Sequence, residues 1–294
     1  MADRDALVQR KIFRLRLPSG TLELGRRTLV MGVLNVTPDS FSDGGRYFET
    51  HWAVERALAI EKAGADILDV GGESTRPGSE AISAEQELAR VRPVLKALDR
   101  RLKIPISIDT RKAAVAEAAI DAGAQIINDV TGLKADAALA KVAARYRVPI
   151  ILMHMRGDPR TMQKGPFARH VVRDVIAGLQ RSIAVARQAG VPKSQIVVDP
   201  GIGFGKSFKQ NYQLIAGLPE LRKLGCAILI GTSRKGFLGD TLGKPAGERV
   251  WGTAATVAAS ILNGAHIVRV HDVEEMVQIA RVTDRVLEAA RLPH

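Results

Sequence analysis

The sequence predicts an α/β protein, a (β/α)8 TIM barrel preceded by a short N-terminal β-hairpin. Two observations lead to this prediction. Eight apolar runs of strand length alternate with longer segments of helical period, and the runs are apolar on both faces. Strands of that kind are typical of a parallel sheet covered by helices. Eight β-then-α units favour closure into a barrel, although periodicity alone leaves an open, doubly wound sheet as the alternative.

The hairpin comes first, in 13–25, where two short runs flank the turn residues Pro18, Ser19 and Gly20. We expect it to cover the floor of the barrel. The eight predicted strands then follow at 29–35, 66–72, 104–110, 124–130, 148–155, 195–201, 226–231 and 265–270. Several of the helical segments between them end in Ala-Gly, which is a helix C-cap signal.

The chain organisation predicts one domain over 1–294, with 1–28 as the hairpin extension and 29–291 as the barrel. No stretch rich in Gly, Ser or Pro divides the 294 residues. A hydrophobic fraction of 46% with only 4% aromatic residues predicts an aliphatic core. There is no uninterrupted apolar run of about eighteen residues, so we expect no membrane span.

Cysteine usage and the first residues bear on location. Cys226 is the only cysteine, which excludes an internal disulfide and favours a reducing compartment. The first residues carry charges where a signal peptide needs an apolar centre. We therefore expect a cytoplasmic protein, with Cys226 buried and inert.

The net charge is +12, from 43 basic and 31 acidic residues. Such a balance attracts anions, either nucleic acid or small anionic substrates. The sequence has no long block of consecutive Lys or Arg, and no aromatic residues interleave with a basic run, as single-strand binders often show. We therefore do not predict a nucleic-acid partner, and a solvated basic surface explains most of the charge.

Polar side chains stand at the carboxyl end of nearly every predicted strand. They are Asn35, Asp69, Asp109, Asn128, His154, Asp199, Lys235, Arg269 and His271. Any one of them alone is better explained as a turn or cap residue. In a barrel, however, the carboxyl ends of all strands meet at one mouth, where such enzymes keep their active sites. The repeated placement therefore predicts one shared site.

Three of these residues, Asp109, Asn128 and Asp199, offer acceptors and an amide. That set suits a flat heterocycle that carries N–H donors and ring nitrogens. Buried in an apolar mouth, such groups would be costly without a partner. The sequence therefore predicts a ligand that supplies the partners.

Three others, Lys235, Arg269 and His271, offer positive charge from the last two strands. Barrels commonly hold phosphate there, helped by the N–H groups at the start of a following helix. Taken alone, Arg269 and His271 are better explained by an ion pair with Asp272 or Glu275. The concentration of cations at one rim instead favours an anionic ligand.

Two further motifs have weaker implications. The GIGFGK segment at 201–206 lacks the spacing of a P-loop, so we interpret its glycines as places where the backbone approaches a flat ligand. His154 has no second His, Cys or carboxylate at a metal-ligand spacing nearby, and we expect a core or rim histidine. The sequence shows no convincing Ser/His/Asp or Cys/His nucleophile.

Taken together, eight segments resemble the motifs of dihydropteroate synthases, in the family's order. They are GVLNVTPDSFSDGG, DVGGESTRPG, SIDT, INDV, LMHMRGDPRTMQ, DPGIGFGK, GTSRKGFLG and RVHDV. The resemblance runs from about Leu29 to the C-terminal helix. It implies a TIM barrel, a homodimer that uses Mg²⁺, and the joining of a dihydropterin methyl diphosphate to 4-aminobenzoate in folate synthesis.

The resemblance also implies a role for each matched residue. The residues that hold the pterin would be Asp109, Asn128, Asp199 and Lys235. The residues at the Mg²⁺ ion and the diphosphate would be Asn35, Asp43, Arg269 and His271. Thr75 and Arg76 would lie on the second mobile loop, near the diphosphate and the aminobenzoate. Phe41 and Pro77 would form part of the aminobenzoate pocket. The residues expected to carry the chemistry are Asp109, Lys235, Arg269 and His271.

This sequence departs from the family pattern at Gly236, where many members carry Ser or another side chain. A hydroxyl contact to the aminobenzoate carboxylate is lost, whereas a backbone N–H contact would survive. Two other functions remain open at this point. A pterin-binding methyltransferase that acts on a methylated folate with a corrinoid partner would not need the cations of the SRK and RVHDV segments. A catalytically silent barrel would be expected to lack some rim residues.

Overall fold

The computed structural model describes residues 10–37, 45–74, 78–157, 162, 165 and 167–290, apart from the side chains of 45–49. In these residues, eight parallel strands form a closed barrel, and two antiparallel strands form a separate sheet before it. The closed barrel confirms the predicted fold class and excludes the open sheet. The final strand pairs with both the first and the penultimate strand of the barrel, which completes the ring.

The strands of the hairpin are β1 (Phe13–Leu17) and β2 (Gly20–Leu24). The strands of the barrel are β3 (Leu29–Asn35), β4 (Ile67–Gly71), β5 (Ile106–Asp109), β6 (Ile126–Asp129), β7 (Ile150–Met153), β8 (Ile196–Asp199), β9 (Ala227–Ile230) and β10 (Ile267–Val270). The α-helices in the described residues are α1 (Gly45–Lys62), α2 (Ala84–Leu98), α3 (Ala113–Asp121), α4 (Ala138–Tyr146), α5 (Val171–Gln188), α6 (Phe208–Ala216), α7 (Gly236–Leu242), α8 (Val250–Leu262) and α9 (Val273–Ala289).

The hairpin covers the amino-terminal end of the barrel, as the sequence predicts. Its two strands pair from Phe13 opposite Leu24 to Leu17 opposite Gly20. Leu15 and Leu24 are almost fully buried and pack against inward-facing residues near the amino ends of the barrel strands. Apolar side chains therefore close the floor of the barrel.

Inward-facing residues change from apolar to polar along the barrel strands. Successive residues of a strand face opposite sides, so every second residue enters the barrel. In β8, Val197 lies in the apolar lower layer and Asp199 is the next inward residue. In β10, Ile267 is followed in the same way by Arg269. The sequence thus places a hydrophobic floor beneath a polar mouth.

The strand β3 occupies the predicted range, and the other barrel strands are shorter than predicted by one or two residues at one or both ends. Pro105 illustrates the reason: it lacks an N–H donor, and its carbonyl only accepts from Leu68 before β5 begins. Among the described residues, no helix has both the length and the apolar character that crossing a membrane requires.

Candidate active site

A cavity of about 1070 Å³ opens at the carboxyl ends of the barrel strands. Among the residues that line it are seven that the sequence predicts for the site: Asn35, Asp109, Asn128, Asp199, Lys235, Arg269 and His271. Five other predicted residues, Phe41, Asp43, Thr75, Arg76 and Pro77, lie outside the described residues. The structure therefore brings the predicted acids, amides and cations into one space.

Part of the cavity wall is apolar and close to the polar groups. Val130, Met153, Met162 and Phe204 form a buried cluster that lines the cavity. Such a surface suits a flat, partly apolar ring, because the ring can bury its faces while its polar edge meets hydrogen-bonding groups. The cavity therefore has the composition expected of a heterocycle site.

Arg269 is the central cation of the cavity. Its Nε atom donates to Asp69 Oδ2 at 2.6 Å, and its Nη2 atom donates to Asp109 Oδ2 at 2.7 Å. Asp69 is fully buried beneath the cavity and also accepts a 3.1 Å hydrogen bond from Asn128 Nδ2. Residues from β4, β5, β6 and β10 are thereby joined in one network. The alternative that Arg269 pairs with Asp272 or Glu275 is wrong.

Burial and neighbouring charge shift the pKa values in this network in opposite directions. Burial lowers the pKa of Arg269, but Asp69 and Asp109 outweigh it and raise that pKa overall. Burial raises the pKa of Asp109, and the adjacent guanidinium of Arg269 opposes that rise. Arg269 is therefore charged throughout the physiological range.

Asp199 and Lys235 form a second acid–cation group. Asp199 Oδ1 accepts a 2.7 Å hydrogen bond from the backbone N–H of Gly201. Burial raises the pKa of Asp199 to about 6. The Lys235 ammonium lies 4.2 Å from the ring centroid of Phe204, and burial lowers its pKa to about 8. Within the described ranges, this ammonium donates no hydrogen bond, so its donors are available to a ligand.

His271 is held by Ser233, whose Oγ lies 3.0 Å from Nδ1 and accepts from the backbone N–H of His271 at 3.2 Å. The other ring nitrogen, Nε2, makes no hydrogen bond with a described residue. Burial, reinforced by Arg269, Arg234 and Lys235, lowers the pKa of His271 to about 3. This lowered pKa favours a neutral imidazole in the free protein, in contrast to the positive charge that the sequence analysis expects there.

Asp272, which the sequence suggests as a partner of Arg269, pairs with Arg234 instead. Arg234 donates to Asp272 through both Nε and Nη2, with an Nε–Oδ2 distance of 3.1 Å. Its backbone has a φ of 57°, an unusual value for a residue with a side chain. Its backbone N–H donates to Thr253 Oγ1, and Arg249 donates to its carbonyl. These contacts hold the turn that presents Lys235 to the cavity.

The glycines of the GIGFGK segment are required mainly by the protein's own backbone. Gly201 has a φ of +69°, and a Cβ there would lie 2.0 Å from the carbonyl oxygen of His154. A Cβ at Gly205 would lie 2.2 Å from the carbonyl oxygen of Arg156. The interpretation as ligand contacts is wrong for these two, whereas Gly203 does line the cavity beside Lys235.

Lys206, which ends this segment, is a site residue that the sequence analysis missed. It lines the cavity with only 2% of its surface exposed, and its Nζ donates to the carbonyls of His154 and Gly201 at 2.7 and 2.8 Å. Burial lowers its pKa to about 7. The position of this lysine at the end of a glycine-rich segment was a sequence signal for a site residue. Its contacts with the two carbonyls depend on tertiary structure and could not be predicted.

Glu73 is a second lining residue that the sequence analysis missed. It accepts from Arg111 Nη2 at 2.9 Å, from Lys112 Nζ at 3.0 Å and from the backbone N–H of Ile82 at 3.1 Å. Burial would raise its pKa, but these hydrogen bonds lower it overall. Lys112 also bridges to Glu87 at 2.5 Å. The network fixes both ends of the segment between Glu73 and Ile82.

His154 is a buried histidine, as predicted, and does not line the cavity. Its ring packs against Gly178 of α5, where a Cβ would lie 2.4 Å from ring carbon Cδ2. Burial lowers its pKa to about 2. Among the described residues, no group of three His, Cys, Asp or Glu side chains comes together in a way that would hold a metal ion.

The comparisons with known proteins agree with one another. A family model described as a pterin binding enzyme matches residues 31–271. The dihydropteroate synthase of Synechocystis sp. is 48% identical over 271 residues, which are 91% of this chain and 94% of the relative. The Xanthomonas albilineans dihydropteroate synthase with 4-aminobenzoic acid is 41% identical, with a TM-score of 0.88 over 96% of this chain and 100% of that one. The complex of that species' enzyme with 7,8-dihydropteroate gives 39% identity and a TM-score of 0.84, over 95% and 100%.

Proposed function

This chain belongs to the pterin-binding enzyme family, and we propose that it catalyses the dihydropteroate synthase reaction. In that reaction a dihydropterin methyl diphosphate and 4-aminobenzoate give 7,8-dihydropteroate and diphosphate. The observation that carries the proposal is the single cavity in which Asp109, Asn128 and Asp199 share a wall with Lys235 and Arg269. Acceptors for a heterocycle and cations for an anion are thus a few ångströms apart, as a substrate with both parts requires.

The pterin ring fits the acid and amide part of the cavity. Its amino and ring N–H groups are donors, and the carboxylate of Asp199 and the amide of Asn128 provide acceptors. The Lys235 ammonium, free of hydrogen bonds to described residues, is a donor for the ring carbonyl or a ring nitrogen. Phe204, Met153 and the other apolar residues would cover the faces of the ring.

Departure of the diphosphate is the step in which charge develops. The C–O bond to the pterin methylene breaks with its electron pair on the diphosphate oxygen, and the methylene becomes cationic. Arg269 supplies fixed positive charge to the leaving group, and His271 supplies an N–H donor at Nε2 in the tautomer whose Nδ1 accepts from Ser233. The nearby carboxylate of Asp109 stabilises the cation electrostatically. The lone pair of the aniline nitrogen of 4-aminobenzoate then forms the new C–N bond, and the proton that this nitrogen loses passes to water or to the released diphosphate.

We propose that the protein binds Mg²⁺ and that Asn35 is one of its ligands. The side chain of Asn35 lines the cavity and makes no hydrogen bond within the described residues, so its amide oxygen is available to a hard cation. Mg²⁺ commonly takes most of its ligands from phosphate and water, which fits a single amide donor in the described wall. When bound, the ion neutralises charge on the diphosphate oxygens. Asp43, the second predicted ligand, lies outside the described residues.

At the aminobenzoate end of the site, Gly236 is the predicted position that lies within the described residues. Gly236 lines the cavity at the start of α7, and a Cβ there would stand 3.6 Å from Phe208 Cε1, an ordinary contact. A serine side chain would therefore fit, and its absence leaves the backbone N–H as the polar group of this residue. Phe41 and Pro77, predicted for the same pocket, are not among the described residues.

The synthase is favoured over the two alternatives. Arg269, His271 and Lys235, which a methyltransferase would not need, all line the cavity. The relatives reported above are named as synthases. A silent barrel would be expected to lack site residues, whereas the seven described residues to which the resemblance assigns a role all line the cavity.

We also propose that the protein is a cytoplasmic homodimer. In support of a dimer, Trp251 of α8 and Val282 and Val286 of α9 are 78%, 66% and 52% exposed, and the two helices pack side by side. An exposed apolar face of this kind suits a second copy of the chain. Sedimentation equilibrium should give a dimer for the parent protein and a monomer after Trp251→Glu, and a monomeric parent would contradict the proposal.

The activity is tested by measuring diphosphate release from purified protein with the pterin diphosphate, 4-aminobenzoate and Mg²⁺. We expect release that requires both substrates and gives dihydropteroate in equal amount. A well-folded sample that releases no diphosphate would favour the silent barrel. Methyl transfer from a methylated folate to a corrinoid, with no diphosphate release, would favour the methyltransferase.

A further inference from the structure

We propose that Asp69 is a positioning residue for the reaction, because one of its carboxylate oxygens orients both Asn128 and Arg269 toward the ligand. The inference rests on the proposed function. Asp69 is the middle residue of β4, faces the barrel interior, and has no exposed surface. Its Oδ2 atom accepts from Asn128 Nδ2 at 3.1 Å and from Arg269 Nε at 2.6 Å. These partners are 59 and 200 residues away in the chain.

The contact with Asp69 decides which way the amide of Asn128 faces. A carboxylate only accepts hydrogen bonds, so Asn128 must direct its NH2 group to Asp69. Its amide oxygen is then left for the cavity, where it accepts nothing from any described residue. An amide oxygen in that place matches an N–H donor of a pterin ring, and the reverse orientation would set donor against donor. Asp69 therefore selects the polarity of this wall of the site.

The same oxygen fixes the plane of the Arg269 guanidinium. With Nε on Asp69 and Nη2 on Asp109, two of its three nitrogens are anchored. The third, Nη1, makes no hydrogen bond within the described residues and is left for an anion. A guanidinium held at two points keeps its remaining donors in one direction, so little rotamer freedom is lost when the anion binds.

The pattern of bonds at Asp69 differs from that of purely structural buried carboxylates in the chain. Asp129 uses both of its oxygens on local groups of Thr131 and Leu133. Asp284 uses both of its oxygens on Arg10 and Thr28 at the barrel floor. Asp69 instead leaves Oδ1 without a partner among the described residues and gives both of its hydrogen bonds to residues that line the cavity.

The test compares two substitutions of similar size. Asp69→Asn keeps an acceptor oxygen, whereas Asp69→Leu has none. We expect Asp69→Asn to bind 7,8-dihydropteroate within about 5-fold of the parent, and Asp69→Leu to bind at least about 10-fold more weakly. The KM for the pterin diphosphate should rise with the dissociation constant, while the KM for 4-aminobenzoate stays within about 2-fold. Asp284→Asn, at the other end of the barrel, is the control for loss of a buried carboxylate and should bind as the parent does.

A third variant, Asn128→Asp, keeps an oxygen toward the ligand but sets a carboxylate against Asp69, and we expect it to lose at least about 10-fold in binding. This variant decides the matter if Asp69→Leu does not fold by circular dichroism. Parent-like binding by folded Asp69→Leu or by Asn128→Asp would overturn the inference. Equal losses in Asp69→Asn and Asp69→Leu would also overturn it. They would show that binding depends on the negative charge of Asp69 and not on the orientation of Asn128 and Arg269. A parent protein that binds no dihydropteroate would instead remove the proposed function itself.

Discussion

The guanidinium of Arg269 lies 2.7 Å from the carboxylate of Asp109, although the two residues are 160 positions apart in the chain. Asp109 ends β5 and Arg269 lies within β10, so their contact crosses the mouth of the barrel. Because both side chains also line the cavity, the site contains an assembled ion pair before any ligand is bound. The stability of the barrel mouth and the binding of an anion therefore depend on the same arginine.

Replacing Arg269 with Met should destabilise the protein by about 3 kcal/mol and abolish diphosphate release. The substitution leaves Asp69 and Asp109 as buried carboxylates without their cation, which is the costly way to break a buried ion pair. Urea unfolding followed by circular dichroism measures the change. Arg285→Met is the matched control, since Arg285 pairs with Glu288 while its side chain is 84% exposed, and its loss should cost less than about 1 kcal/mol. Equal losses for the two variants would mean that the network at Arg269 contributes no more than a surface pair.

Replacing Lys235 with Ala should weaken dihydropteroate binding by about 10-fold or more without unfolding the protein. Lys235 is half-buried, and its ammonium makes no hydrogen bond to a described residue, so its donors are available for the ligand rather than needed for the fold. Hydrogen bonds to charged groups contribute about 1.5–3 kcal/mol, which sets the size of the loss. Isothermal titration calorimetry measures it, with Lys141→Ala on the exposed side of α4 as the control. A Lys235→Ala protein that does not fold would point to a structural role.

Replacing Asn35 with Ala should raise the Mg²⁺ concentration needed for half-maximal diphosphate release by about 10-fold. The expectation follows from the free amide oxygen of Asn35 in the cavity wall and from the preference of Mg²⁺ for oxygen ligands. Titration of the metal at saturating substrates gives the value. Asn263→Ala, which removes a hydrogen bond to the Ile215 carbonyl outside the site, should leave it unchanged. An unaltered Mg²⁺ requirement in Asn35→Ala would show that the ligand assignment is wrong.

The stability of the protein should fall in acid partly through His154. Burial lowers the pKa of this histidine from 6.5 to about 2, so below pH 6.5 only the unfolded chain takes up its proton. The stability that the neutral imidazole provides is complete above pH 6.5 and is lost as the pH falls toward 2. Below pH 6.5, each further pH unit lowers the free energy of unfolding by about 1.4 kcal/mol for this one proton. The loss is therefore about 3 kcal/mol at pH 4.5.

His154→Gln removes this titration and should flatten the dependence of unfolding free energy on pH between 6.5 and 4.5. Urea unfolding at several pH values measures the two slopes. His170→Gln, at an exposed position, should keep the slope of the parent protein. Parallel curves for His154→Gln and the parent would mean that His154 titrates alike in both states.

Most of the fold could be predicted because the signal is local. Each barrel strand is an apolar run between polar or helix-forming segments, and strands apolar on both faces leave few architectures. The carboxyl-end positions of Asp109, Asn128 and Asp199 followed directly from those strands. Their meeting in one cavity was predictable from the general rule that barrels keep their sites at that end.

The pairing of charges could not be predicted in the same way. Asp272, close in sequence to Arg269, offered a local partner, but it pairs with Arg234 instead. The true partners of Arg269 come from β4 and β5, and which side chains meet across a barrel depends on the stagger of its strands. Asp69 is an example, since its position in β4 places it beneath the cavity rather than on its rim. The lowered pKa of His271 was unpredictable for the same reason, because burial and neighbouring cations are tertiary properties.

We propose that one cavity holds a pterin against Asp199 while Arg269 faces the departing diphosphate. A crystal structure of the protein with 7,8-dihydropteroate and diphosphate tests this most directly. We expect a pteridine ring within hydrogen-bond distance of Asp199 and Asn128, with diphosphate oxygens on Arg269 and His271. A fully occupied ligand in another part of the molecule, with this cavity unchanged, would contradict it.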